Sequence, residues 1–222
     1  MRLAFLAVLL ALPACVSLLP ESGDLSPRLT LDAGEAGAPS GAPLGATLAI
    51  ADPRSEAAFK TANVAVQTNP LQYEYLAGAE WTDRAPLLFG LFLERAFENE
   101  QRYDAVGDRV ALPVADFTLL TDIRALHLDQ TEGRNHAVVA YGARLTDRRG
   151  ATLGSRIFRA EVPLTSRSND AAVLALNEAA RRAAAETIAW TAPLVREGLT
   201  ARDAREAERT ERRGRFERNP GS

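Results

Sequence analysis

The sequence predicts an α+β domain, an antiparallel sheet with two helices packed on one face, preceded by a signal peptide and a flexible tether. Three observations carry the prediction. A short alternating run, Leu71-Gln-Tyr-Glu-Tyr75, leads through Trp81 into an amphipathic helix. The stretch from Phe117 to Val162 reads as a meander of three strands. The cluster Ser168-Asn169-Asp170 opens a second helix that reaches Trp190.

The elements follow in chain order. Residues 1–14 hold one basic residue and a short apolar run. A run this short cannot span a bilayer, which takes about 20 apolar residues, so it reads as a secretory signal. Cys15 is the only cysteine, so the mature chain can form no internal disulfide in an oxidising compartment. From Val16 to Gly45 the chain is rich in Pro, Gly, Ala and Ser without apolar periodicity. It reads as a tether, with an r.m.s. span on the order of 30 Å and a full extension of roughly 100 Å.

Thr47-Leu-Ala-Ile-Ala51 and Asn63-Val-Ala-Val-Gln67 are β-like runs closed by Asp52-Pro53 and Asn69-Pro70. In the first helix Phe89, Phe92, Leu93, Ala96, Phe97 and Tyr103 share one face, and Glu94, Arg95, Glu98, Gln101 and Arg102 lie opposite. Thr82 or Asp83 can cap it, Pro86 suits its first turn, and Gly107 with Asp108 ends it. In the long run Phe117–Asp129 the apolar parity shifts from Leu119 and Ile123 to Leu126 and Leu128, predicting a bulge or bend near Ala125. The second helix sets Val173, Leu176, Ala180, Ala183, Ala184, Thr187 and Trp190 on one mostly small face, and Pro193 ends it. Residues 198–222 are Arg, Glu and Ala with almost no apolar side chain, and read as a charged, disordered tail. The folded domain is therefore expected over 46–197. Formal net charge is −3, or −4 once Arg2 leaves with the signal, so no basic excess recruits nucleic acid.

Leu12-Pro13-Ala14-Cys15 resembles the lipobox of bacterial lipoproteins, which implies that Cys15 is the lipid attachment residue. Two or more acyl chains, palmitate among the usual ones, hold such a protein stably, at about 0.8 kcal/mol per buried CH₂. By resemblance to the sorting rule of enteric bacteria, Val16 after the Cys points to the outer membrane, with the domain facing the periplasm. The tether, the Tyr73-Glu-Tyr75 run leading to Trp81, the helix ending Arg102-Tyr-Asp-Ala-Val106, the meander, and Ala175-Leu-Asn-Glu-Ala-Ala through Ile188-Ala-Trp190 together resemble the ABC-type transport auxiliary lipoprotein family. The resemblance covers about Leu48 to Trp190. It implies a lipoprotein component of an intermembrane lipid-transport system, with an MCE (mammalian cell entry) protein and an inner-membrane ABC transporter as partners. The long tether and the charged tail depart from the family's pattern.

The catalytic inventory is sparse. The sequence holds no Gly-rich phosphate loop, no Gly-x-Ser-x-Gly elbow and no His-x-x-x-His pair. His127 and His136, its only histidines, read as ordinary strand residues, so no metal or other cofactor is expected. Trp81 and Trp190 read as core anchors, and Asp104 and Asp108 as helix-end and turn residues. Leu87 and Leu91 stand four apart on the polar side of the first helix. They are either isolated exposed leucines or a contact for a neighbouring copy or an MCE protein. The functional expectation is a non-enzymatic, lipid-anchored transport component. The alternatives are a lipoprotein assisting lipopolysaccharide or outer-membrane assembly, and an envelope enzyme accessory.

Overall fold

The computed structural model describes residues 28–39 and 41–218, so the expected signal peptide, Cys15 and the start of the tether lie outside the described residues. In chain order the elements are β1 (Arg28–Leu29), β2 (Thr47–Ile50), β3 (Arg54–Ser55), β4 (Asn63–Asn69), β5 (Gln72–Trp81), α1 (Ala85–Asn99), β6 (Ala105–Asp108), β7 (Phe117–Asp129), β8 (His136–Asp147), β9 (Thr152–Pro163) and α2 (Asn169–Arg218).

The fold is α+β, as the sequence predicts, and the nine strands among the described residues form one mixed sheet with β7 as the spine. One edge of β7 pairs antiparallel with β8, and β8 with β9. The other edge is shared end to end by three strands running parallel to it. Leu48–Ile50 of β2 pair with Phe117–Leu119, β3 with Asp122 and Ile123, and Ala65–Gln67 of β4 with His127–Asp129. The meander β7–β9 is antiparallel as expected and so is the β4–β5 pair, but β2, β3 and β4 run parallel to β7. Alternation reports which face a strand buries, not its direction, and α1 supplies the crossover that parallel pairing needs.

Both helices cover one face of the sheet. Leu119, Ile123, Leu126, Leu128, Val139, Tyr141, Leu145 and Phe158 meet Phe89, Phe92, Leu93 and Phe97 of α1 and the small residues Ala175, Ala179, Ala180 and Ala183 of α2 in one core. The predicted bulge is present: Ile123 pairs with Tyr141 and Ala125 with Ala140, leaving Arg124 as the extra residue.

Four boundaries differ from the sequence reading. The domain takes in part of the expected tether, because β1 pairs with Glu80 and Trp81 and the side chains of Leu31 and Leu44 are buried. Asp32 N–H donates to Asn177 Oδ1 at 2.7 Å, and Asn99 Nδ2 to the Gly34 carbonyl at 2.8 Å. Isolated leucines in an Ala/Gly/Pro background carry no periodic signal, which hid this docking. Helix α1 starts after Arg84 without a side-chain cap and stops at Asn99. Gln101 takes φ +52°, and 105–108 form β6 instead of a last helical turn. Arg102 consequently leaves the polar face and lies buried beneath 41–44, with its carbonyl accepting from Leu44 N–H at 2.7 Å.

The fourth difference is α2, which opens as predicted with Ser168 Oγ accepting from Ala171 N–H at 3.2 Å. It passes through Pro193 and continues to Arg218, so the expected tail is helical over its described part. Pro193 frees the carbonyl of Ala189, and both residues are exposed where water can replace the lost bond. Ala192 just before it and Val195 beyond it are buried, a Cβ on Gly198 would come 2.8 Å from the Phe117 ring, and Arg202 pairs with Asp116 at 2.9 Å. Packing on β7 and β9 carries the helix past its proline.

Candidate partner interface on the first helix

Three backbone bonds fix where α1 begins. Trp81 N–H donates to Ala62 O at 2.6 Å, Thr82 N–H to Leu29 O at 2.7 Å, and Ala85 N–H to Thr61 O at 2.9 Å. The Trp81 side chain is fully buried below them, the core role expected of it. The inner side of α1 is locked by its aromatic residues, with Phe89 edge-on to Tyr141 at 5.0 Å. Tyr141 in turn shares a hydrogen bond with Thr187 of α2 at 2.7 Å, and Thr187 Oγ donates to the Ala183 carbonyl at 2.9 Å. Sheet and both helices therefore meet at one side chain, and the outer ridge of α1 has little freedom to turn.

That ridge presents Leu87 and Leu91, 39% and 42% exposed. A Cβ on Gly90 between them would lie 3.0 Å from Pro53 Cδ, so glycine lets the 51–53 segment come this close without being displaced. The result is a shallow groove of about 170 Å³ whose lining includes Pro53, Leu87, Gly90, Leu91, Glu94 and Asp108. On the other side of Leu87 lie Lys60, Arg84 and Pro86. The apolar pair is thus rimmed by cations on one flank and carboxylates on the other. Burial, reinforced by Glu98 and Asp108, raises the Glu94 carboxyl above its usual range. An apolar centre with a charged rim suits a protein contact better than small-molecule chemistry.

The other candidate residues are dispersed. Asp108 accepts from Val110 and Ala111 N–H at 2.7 Å, the turn role expected of it. Trp190 packs edge-on against Phe158 at 5.5 Å, in the core role expected of it. His127 is buried on the sheet face away from the helices, stacked on Phe59 and edge-on to Tyr73. Burial lowers its pKa to about 4. His136 pairs with Asp129 across the strands. Among the described residues no group of three or more His, Cys, Asp or Glu is placed to hold a metal ion. Sequence reasoning missed the network beside them, in which Arg134 bridges Asp129 and Glu161, and Arg159 pairs with Glu161. Its members come from three separate segments, so no local spacing announced it.

The family model described as ABC-type transport auxiliary lipoprotein component matches residues 29–189, a span that contains the whole Leu87–Leu91 ridge. The chain belongs to this family. An uncharacterized protein, bll6063 of Bradyrhizobium diazoefficiens, is 32% identical over 156 residues, 69% of the auxiliary lipoprotein chain and 41% of that protein. The chain thus spans about two fifths of the length of that curated relative. The crystal structure of protein XCC0632 from Xanthomonas campestris superposes with a TM-score of 0.67 at 21% identity, covering 78% of this chain and 95% of that one. A second crystal structure, of an uncharacterized protein, gives a TM-score of 0.57 at 14% identity over 74% of this chain and 99% of that one. At these identities the two structures show the shared fold alone.

Proposed function

We propose that this auxiliary lipoprotein is a non-enzymatic, lipid-anchored subunit of an MCE-type ABC system for intermembrane lipid transport. It is held to the outer membrane through Cys15 and faces the periplasm. The observation that carries the reading is the exposed Leu87–Leu91 pair inside a domain of an ABC transport auxiliary family. The pair packs against the MCE-domain protein or against a neighbouring copy of the chain. Fully burying one leucine contributes about 1.5–3 kcal/mol, so removing both weakens such a contact by two orders of magnitude or more.

Two measurements test the two parts of the reading. Metabolic labelling with a radioactive fatty acid is expected to mark the wild type and not Cys15→Ser; equal label on both ends the anchoring claim. Affinity isolation from detergent-solubilised membranes is expected to bring down the MCE-domain protein encoded in the same genome. Wild type without that protein overturns the transporter assignment. Retention of the protein by the double variant Leu87→Glu, Leu91→Glu, with unchanged circular dichroism, overturns the contact.

A further inference from the structure

On the sheet face away from the helices, the loop between β6 and β7 folds back over the first half of β7. Thr118 pairs with Thr146 and Leu120 with Arg144, and these side chains floor a groove of about 340 Å³ walled by the loop. Arg109, Arg144 and Arg148 line it with a single carboxylate, that of Asp147. All three arginines are exposed, and none forms an ion pair among the described residues.

Three aspartates at this end are already engaged. Asp108 Oδ1 accepts from Val110 and Ala111 N–H, Asp147 Oδ1 from Arg149 and Ala151 N–H, and Asp116 from Thr47 and Arg202. Each acid closes a turn or ties down a strand, while the guanidinium groups beside them reach solvent. Next to the arginines Val110 and Val114 are 87% and 62% exposed. A protein with a formal charge of −3 therefore carries a local cluster of arginines without an ion-pair partner among the described residues, beside exposed apolar loop residues.

We infer that this end of the domain docks on a bilayer surface rich in anionic phospholipid. Arg109, Arg144 and Arg148 take the headgroup phosphates, and Val110 and Val114 enter the acyl boundary. The guanidinium fork matches phosphate oxygens two at a time, and basic residues flanking apolar ones suit the polarity gradient at a membrane surface. An acidic protein surface would satisfy the arginines but leave the two valines without a matching environment. Twelve residues separate Cys15 from Arg28, at most about 45 Å of chain, so an acylated Cys15 can sit in the bilayer that the loop touches. The inference extends the lipid-anchored reading and is independent of which transporter the protein serves.

The test uses the chain from residue 15 to its end with Cys15→Ser, which removes acylation, in co-sedimentation with vesicles. Vesicles of phosphatidylcholine with phosphatidylglycerol are expected to bind it about a hundredfold better than phosphatidylcholine alone, with binding falling as salt rises. Arg109→Gln with Arg144→Gln and Arg148→Gln is expected to lose most of that gain. Val110→Ser with Val114→Ser is expected to weaken binding while circular dichroism is unchanged. Equal sedimentation with both vesicle types, or no loss in the arginine variant, overturns the inference. So does stabilisation of the wild type by inorganic phosphate without vesicle binding, which would make the groove a site for a soluble anion. None of these outcomes bears on co-isolation with an MCE-domain protein, so the two readings fail separately.

Discussion

His127 couples the fold to pH. Its pKa is about 4 in the folded chain and near 6.5 when unfolded, because burial beside Phe59 and Tyr73 disfavours the imidazolium. The unfolded chain binds more protons between these values, so stability is fully present above about pH 6.5 and falls as pH drops toward 4. The contribution is on the order of 3 kcal/mol, and thermal melts across this window are expected to show the decline. His127→Phe is expected to flatten it; an unchanged slope would mean that other groups carry the dependence. Tyr141 gives a second prediction at this scale. Thr187→Val strands the buried Tyr141 hydroxyl and is expected to cost about 1–3 kcal/mol, whereas Tyr141→Phe leaves Thr187 bonded to Ala183 and costs less. The double variant should recover part of the Thr187→Val loss, and additive melting shifts would deny the coupling.

Elements were legible where periodicity was strong. The aromatic face of α1, the three strands of the meander, the bulge beside Ala125 and the Ser168 cap could all be read along the chain, because each is set by neighbours in sequence. The parallel direction of β2 and β4 and the docking of Leu31 and Leu44 could not, since residues far away in sequence decide them. The same holds for the passage of α2 through Pro193, where the buried Val195 and Gly198 against Phe117 outweigh a local helix breaker. At the candidate interface the leucine spacing was visible, while the Gly90 approach to Pro53 that shapes its groove was not. The new boundary of α2 also changes what truncation should do. A chain ending at Asp203 is expected to melt within about a degree of the full one, since the described side chains beyond it are almost all exposed. Ending at Glu197 removes Gly198, Leu199 and the Arg202–Asp116 pair, and should lower the melting temperature by several degrees.

At the scale of the whole molecule, the ridge of Leu87 and Leu91 belongs to the helical layer, and the arginine groove opens on the opposite face of the sheet. The two surfaces can therefore be occupied together. Leu87→Glu with Leu91→Glu is expected to leave the melting temperature within about a degree of wild type, both side chains being exposed. A collapse of the fold would show that the pair belongs to the core. The placement of β7 has a consequence for biogenesis. During translation or export Leu48–Ile50 and Val64–Val66 emerge long before Phe117–Asp129, the strand whose edge they share. Their apolar faces and unpaired N–H groups stay open until that template appears. The nascent chain thus passes through a window in which about a hundred residues cannot close their sheet, and a chaperone that shields strand edges should matter most there.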